Sequence, residues 1–173
     1  PSSAYIYGAS KVTAHAFGKA YAASVDLDFI WTFITNAYGV GEISPRLINS
    51  TLKKCINGNS PEFTAGTQNY DFIYISDVAQ AYRLIAEKGH SFHEYVIGSG
   101  NPKPLKDFLL EMQREIAPDL EFKFGNVPYT GVNLSLQDFA TDLTFQHTEF
   151  KPTISFKDGC NRTFTWLKEV SLK

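Results

Sequence analysis

The sequence predicts an α/β protein in which part of the sheet is parallel. Three observations carry this. Short runs of aromatic and β-branched residues, at 27–35, 72–75 and 95–97, alternate with helical segments at 7–23, 46–56 and 105–116. The run from Leu27 to Thr35 is almost wholly apolar, as in a parallel-sheet strand buried on both faces. The chain also begins almost directly on a helix and holds neither Gly-x-Gly-x-x-Gly nor Gly-x-x-Gly-x-x-Gly. A doubly wound sheet opens on a strand and such a phosphate loop. The first part of the sheet is therefore expected to lie outside this sequence.

The elements follow in order. Tyr7 to Ala23 is rich in Ala, with Phe17 and Tyr21 interleaved, and reads as a helix. After the strand at 27–35, Asn36-Ala37-Tyr38-Gly39-Val40-Gly41 reads as a loop. Arg46 to Ile56 is helical, with Ser44 and Pro45 suited to its cap and first turn. Phe72 to Ile75 is a strand. Ser76 or Asp77 then caps a helix that runs to about Lys88 and stops at Gly89. Tyr95 to Ile97 is a strand closed by Gly98-Ser99-Gly100. Leu105 to Ile116 is a helix with an apolar stripe of Leu105, Phe108, Leu109, Met112 and Ile116. Phe122 to Phe124 is a short strand, 125–140 a long loop, and Lys157 to Lys168 a last helix.

Composition excludes several classes of function. The 173 residues carry a net charge of −2, which gives no basic footprint for nucleic acid and no polybasic patch for a membrane surface. No apolar run approaches a bilayer span. Pro1 to Tyr5 has no basic start and no apolar stretch, so no secretory leader is expected. Cys55 and Cys160 are far apart and read as two buried reduced thiols. Together these point to the cytoplasm.

The chemistry sits at the front. Tyr7-Gly8-Ala9-Ser10-Lys11 sets a phenol and an ammonium four residues apart, on one face of a helix. That pairing suits proton transfer at a carbinol oxygen. A free phenol ionises near pH ~10, too high for a base at neutral pH, and a neighbouring cation favours the phenolate. Of the nine tyrosines only Tyr7 has a Lys at that offset. A Tyr-x-x-x-Lys spacing alone also describes an ordinary helix with a solvated Lys. Elsewhere, His90 and His93 have no Cys or second carboxylate at ligand spacing, so no metal site is expected. His15 reads as a surface or interface residue. Asp71 and Asp77 read as a turn residue and a helix cap.

The neighbours of Tyr7 are more specific. Tyr7-Gly8-Ala9-Ser10-Lys11 resembles the active-site helix of the extended short-chain dehydrogenases/reductases, the NAD-dependent epimerase/dehydratase family. Asn36-Ala37-Tyr38-Gly39 is similar to its Asn-x-Tyr-Gly loop. Gly66 to Ala79 resembles its glycine-led Arg-Asp-Phe-x-x-Val-x-Asp-Val-Ala block, and Tyr95 to Gly100 the strand that follows. Phe150-Lys151-Pro152 and Ser155 to Gly159, with Trp166 beyond, resemble its closing segment. The resemblance runs over nearly the whole chain.

It implies the C-terminal part of a Rossmann-type parallel-sheet domain plus a smaller substrate-binding lobe. Residues 1–43 would end the dinucleotide-binding domain. Residues 44–173 would form the lobe and return some strands to the sheet. It further implies an NAD(P)-dependent epimerase, dehydratase or reductase acting on a nucleotide sugar, present here as a C-terminal fragment that is inactive alone. By carry-over Tyr7 and Lys11 are the catalytic pair and, with Ala37 and Tyr38, contact NAD or NADP. Asn36, Arg46, Tyr70 and Tyr129 contact substrate. A homodimer through the Ala-rich face of the first helix is also implied. The departures are in the arginines. Tyr70 stands where the block has Arg, Tyr129-Thr130-Gly131 where an Arg often precedes Pro-Gly-Asp, and Phe33 near a third such position. Arg46 is the best remaining phosphate ligand. These departures leave open a hydroxyl or carbonyl substrate without a diphosphate. A noncatalytic binding module is the alternative class, but it has no need of the Tyr7–Lys11 pair.

Overall fold

The computed structural model describes residues 3–171. The outer ends of the two segments expected from the sequence, at Pro1 and Lys173, lie outside the described residues. The described residues open on helix α1 (Ser3–Ser24), followed by strands β1 (Trp31–Ile34) and β2 (Asn36–Tyr38) and helix α2 (Leu47–Ile56). Short strands β3 (Glu62–Phe63) and β4 (Asn69–Tyr70) precede β5 (Phe72–Tyr74), which runs directly into α3 (Ile75–Lys88). Then come β6 (Glu94–Ile97), β7 (Lys103–Pro104), α4 (Leu105–Ile116) and β8 (Lys123–Phe124). A 3-10 turn at Leu136–Phe139 leads to α5 (Asp142–Thr148) and α6 (Phe156–Ser171).

The parallel pairing expected from the apolar strands is present. β1 lies parallel to β6, with Phe33 opposite Val96 and Ile34 opposite Ile97. β2 lies parallel to β5, with Asn36 opposite Phe72. The chain changes partner at one peptide. Thr35 N–H donates to the Ile97 carbonyl at 3.0 Å and Asn36 N–H to the Asp71 carbonyl at 3.0 Å. Segment 36–38 is therefore a strand, not the expected loop. β3 pairs parallel with β8 and β4 antiparallel with β7.

Two cores result. One gathers Leu52, Phe63, Phe72, Phe108, Leu109 and Leu167 between α2, α4 and α6. Phe108, Leu109 and Met112 from the predicted α4 stripe are buried in it, as is Leu105 at the head of the helix. The other gathers Ile73, Val78, Ala81, Ile85, Tyr95 and Ile97 where α3 covers β5 and β6. Both cysteines are free thiols. Cys160 is buried, but Cys55 is only half-buried.

Several expectations are corrected. The strand expected at 27–35 shortens to Trp31–Ile34, and Phe33 and Ile34 are exposed, not buried on both faces. β6 is the one strand that pairs with β1 among the described residues, so one edge of β1 is open. The N-cap of α2 is Arg46, not Ser44 or Pro45. That of α3 is Tyr74, not Ser76 or Asp77. Asp77 instead reaches across to the chain after Pro152. It accepts from Thr153 N–H at 3.0 Å, Thr153 O–H at 2.9 Å and Ile154 N–H at 2.9 Å. The predicted loop 125–140 ends in the 3-10 turn capped by Ser135, and α5 follows where no helix was expected.

Helix α1 is packed along one narrow stripe. Of residues 5–23 only His15, Gly18 and Ala22 are less than exposed. His15 stacks on Trp31 at 4.6 Å, and a Cβ at Gly18 would come within 2.8 Å of the Phe29 ring. Ile6, Val12, Phe17 and Tyr21 are exposed on the other sides.

Candidate active site

The candidate site lies at the carboxyl ends of the parallel strands, where ligands bind in open α/β sheets. α1 runs beside β1 and brings Tyr7 to this end. Tyr7 is 66% exposed, and Lys11 Nζ lies 5.4 Å from the centre of its ring. The four-residue spacing thus places both groups on one face. They line a cleft of about 460 Å³ along β1 with Trp31, Phe33, Ile34 and Tyr82.

A second cleft, of about 550 Å³, adjoins it. Tyr7 also lines this one, together with Asn36, Ala37, Tyr38, Arg46 and Tyr70. A third, of about 590 Å³, shares Ile34, Asn36 and Tyr70 and adds Tyr129, Val132 and Phe139. Every site residue read from the sequence therefore falls on this run of three clefts. Tyr7 joins the first to the second, and Asn36 and Tyr70 join the second to the third.

The individual side chains are held unequally. Asn36 accepts from Asp71 N–H at 3.4 Å through Oδ1. With its oxygen so used, its amide NH2 is what it offers a ligand. Arg46 is exposed, with Nε 3.6 Å from Glu42 Oε2, a loose pair that leaves the guanidinium available. Hydrogen bonds from Ser44, more than Arg46, hold the Glu42 carboxyl below its usual range. Tyr70 stacks on Phe72 at 5.4 Å, and burial, with Tyr129 second, raises its phenol. Tyr129 donates to the Val132 carbonyl at 2.7 Å. Tyr38 is different. It is 5% exposed, its O–H donates to the Phe156 carbonyl at 3.1 Å, and burial drives its ionisation far above the ordinary range. Its polar tip is spent in the core, so what it gives the cleft is shape.

Local sequence does not reveal what holds this end of the sheet. Asp71 is fully buried and accepts from Ser99 N–H at 2.9 Å and from Ser99 O–H. It joins the turn after β6 to the strand beside Asn36. A Cβ at Gly98 would come within 2.2 Å of Asp71 Oδ2, which is why glycine stands there. Burial raises the Asp71 carboxyl, although the Ser99, Gly100 and Asn101 donors pull the other way. Local sequence marks Asp71 as a turn residue, because its partner Ser99 lies too far along the chain for spacing to show.

The sequence profile of the NAD dependent epimerase/dehydratase family matches residues 2–98, more than half of the chain. The chain belongs to that family. CDP-abequose synthase of Salmonella typhimurium is 30% identical over 149 residues, covering 82% of this chain and 49% of the relative. The dTDP-glucose 4,6-dehydratase of Shigella flexneri is 27% identical over 167 residues, covering 92% and 46%. The chain thus spans about half the length of the curated relatives it matches. Among solved structures, the Bordetella bronchiseptica enzyme WbmF in complex with NADH superposes with a TM-score of 0.82 at 21% identity, over 96% of this chain and 53% of that one. UDP-glucose 4-epimerase of Thermotoga maritima with UDP-glucose gives 0.81 at 20% identity, over 96% and 54%. The fold is the Rossmann-type α/β architecture of these family members. No helix among the described residues is long and apolar enough to cross a membrane.

Proposed function

We infer that Tyr7 and Lys11 form the proton-transfer pair of an NAD(P)-dependent enzyme that epimerises, dehydrates or reduces a nucleotide sugar, and that this chain supplies the substrate side of that site. The observation that carries the reading is the position of Tyr7. It stands at the junction of the cleft it shares with Lys11 and the cleft it shares with Asn36, Arg46 and Tyr70.

The residues fit one end of the cofactor. An exposed phenol and an ammonium beside β1 present hydrogen-bonding groups to a ribose and its nicotinamide. The described residues contain no glycine-rich turn at a helix N-terminus to receive the pyrophosphate. When bound, the nicotinamide supplies the two-electron acceptor or donor for the substrate carbon. This chain's own residues handle the proton and the pose. Tyr7 Oη takes the proton from a substrate hydroxyl or returns it to a carbonyl. Lys11 stabilises the charge on Tyr7 and orients the ribose. The Asn36 amide donates to a sugar hydroxyl, Tyr70 and Tyr129 wall the sugar, and Arg46 turns from Glu42 to a phosphate oxygen. Ala37 and Tyr38 shape the floor on which both lie.

Residues 1–43 would belong to the dinucleotide-binding domain and 44–173 to the substrate lobe. The bare outer faces of α1 and the open edge of β1 support cover by the remainder of such a domain and a homodimer contact. The chain alone would then be inactive. Two free thiols suit a reducing compartment such as the cytoplasm. A second reading, a hydroxyl or carbonyl substrate without a diphosphate, is favoured by the lining of the third cleft, which mixes aromatic and aliphatic side chains with Thr35, Asn36, Asn69 and Asp138 and contains no arginine or lysine.

Tyr7→Phe in the full-length protein tests the pair. Turnover should fall by about 10²-fold or more while NAD(H) binding persists; unchanged turnover refutes the assignment. Arg46→Ala should raise KM for UDP-, dTDP- or CDP-sugars more than for the free sugar. Equal effects on both would favour the second reading.

A further inference from the structure

We propose that His90, His93 and His147 form a binding site for a borderline transition-metal dication of the Zn2+ class, separate from the clefts. The three imidazoles come from two elements. His90 and His93 sit in the connection between α3 and β6, and His147 sits in the last turn of α5. Each can present one ring nitrogen such that all three nitrogens lie within 4.8 Å of one another. In a tetrahedral site with Zn–N of about 2.0–2.1 Å, ligand nitrogens stand about 3.3 Å apart. Closing the triad is thus a matter of about 1 Å or so per ring. His90 and His93 are exposed, so side-chain torsions suffice and no core residue moves. At present the rings of His90 and His147 stack with centroids 4.0 Å apart, and His93 meets both edge-on at 5.4 and 5.3 Å.

The groups behind the rings are those a metal site needs. A ligating imidazole donates its second N–H to a carbonyl or other oxygen, which fixes its tautomer and frees the other nitrogen for the metal. His93 Nδ1 lies 3.1 Å from the Ser91 carbonyl, and His147 Nδ1 lies 2.7 Å from Tyr95 Oη. In the tautomer with the proton on Nδ1, each of these two rings keeps Nε2 for a metal. Tyr95 is fully buried, and its oxygen also accepts from His90 N–H at 2.8 Å. One fixed phenol thus orients the backbone of one ligand and the ring of another. α5 is itself clamped on β6, where Thr144 O–H donates to the Val96 carbonyl at 2.6 Å. The nearby carboxylate Glu149 is taken by Lys88 at 2.9 Å, so three imidazoles and water make the coordination set.

The place decides the role. The triad stands at the amino end of β6, whereas Asp71 and the Gly98–Ser99–Gly100 turn stand at the carboxyl end with the clefts. A metal here would tie α5 to the α3–β6 connection and take no part in proton transfer. Local spacing misses the site because the third ligand lies on a helix that the sequence does not announce.

Calorimetric titration of Zn2+ into the tag-free protein, in a non-chelating buffer near neutral pH, tests the proposal. One site per chain is expected, with a Kd in the micromolar range or tighter. His93→Gln and His147→Gln should each weaken binding by about tenfold or more, and Tyr95→Phe, which removes the outer partner, by about tenfold. His15→Gln and Cys55→Ser should leave it unchanged. Should His147→Gln fail to fold by circular dichroism, His93→Gln in the exposed connection decides alone. Absence of a saturable site, a site that survives His93→Gln, or one lost equally in His15→Gln overturns the proposal.

Discussion

Replacing Asp71 tests the claim that one buried carboxylate joins the turn after β6 to the strand beside Asn36. Asp71 is fully buried and holds both Ser99 N–H and Ser99 O–H. A hydrogen bond to a charged group contributes about 1.5–3 kcal/mol, and a buried donor left without a partner costs about as much. Asp71→Ala removes both bonds and should cost about 3–5 kcal/mol. Asp71→Asn keeps one acceptor but turns an amide NH2 toward a donor, and should cost about 1–3 kcal/mol. The sign of the pH dependence follows from burial, which outweighs the donors and raises the carboxyl above its ordinary 3.8. The folded protein then holds this proton more tightly than the unfolded chain. The resulting stability is fully present below pH 3.8 and is lost as pH rises through the folded value. Asparagine has no such dependence, so the advantage of the natural residue over Asn should shrink from about pH 4 toward neutrality. Urea unfolding, followed by the fluorescence of Trp31 on β1 and Trp166 on α6, reads the difference in both parts of the molecule. An Asp71→Ala protein within about 0.5 kcal/mol of the natural one would refute the reasoning.

Further outcomes follow from single contacts. Gly159 lies in the first turn of α6, where a Cβ would stand 2.1 Å from Tyr38 Oη and 2.8 Å from Tyr74 Cδ2. Gly159→Ala gains about 1 kcal/mol of helix propensity but overpacks by about 1–3 kcal/mol. It should lower the urea midpoint, and a raised midpoint would show that Tyr38 yields freely. Burial raises the Cys160 thiol far above its ordinary range and the Cys55 thiol less so. In the native protein a disulfide reagent at pH ~8 should therefore label Cys55 slowly and Cys160 only on unfolding; prompt labelling of Cys160 would contradict its burial. Tyr7 is exposed, so Tyr7→Phe should change the unfolding free energy from urea titration by less than about 0.5 kcal/mol even as it removes turnover in the full-length protein.

Much of the fold was legible because periodicity and motif agree. The α4 stripe and the strands at 72–74 and 94–97 are set by local pattern, and local pattern shows them. The misses have a common cause. Asp77 looks like a helix cap because Ser/Asp before an apolar run usually is one, yet its partners are Thr153 and Ile154, at the far end of the chain. α5 was missed because Asp142 to Thr148 carries little apolar periodicity. Its place is fixed by threonine hydroxyls on the β6 and α5 carbonyls. The candidate site divides the same way. Tyr7 and Lys11 are read from a five-residue motif, whereas Tyr129 comes to share a cleft with Asn36 and Tyr70 through a loop whose course no spacing predicts. Tyr38, read as a ligand contact, donates its hydroxyl to the Phe156 carbonyl at the start of α6, a partner 118 residues along the chain that no spacing shows.

The exposure of α1 bears on how the pair could work. A Tyr–Lys couple bathed in water gains little from its geometry, because solvent screens the ammonium and competes for the phenol. Tyr7 is 66% exposed here, while Ile6, Val12 and Phe17 around it are also bare. The same surface that would cover those side chains would exclude water from Tyr7. On the proposed reading, burial of α1 and completion of the active site are therefore one event, driven by apolar area rather than by the catalytic groups. That separates two contributions in the motif. On that reading Tyr7 and Lys11 would supply chemistry at little benefit to this chain's stability. The apolar residues interleaved with them would supply the docking energy that makes that chemistry possible.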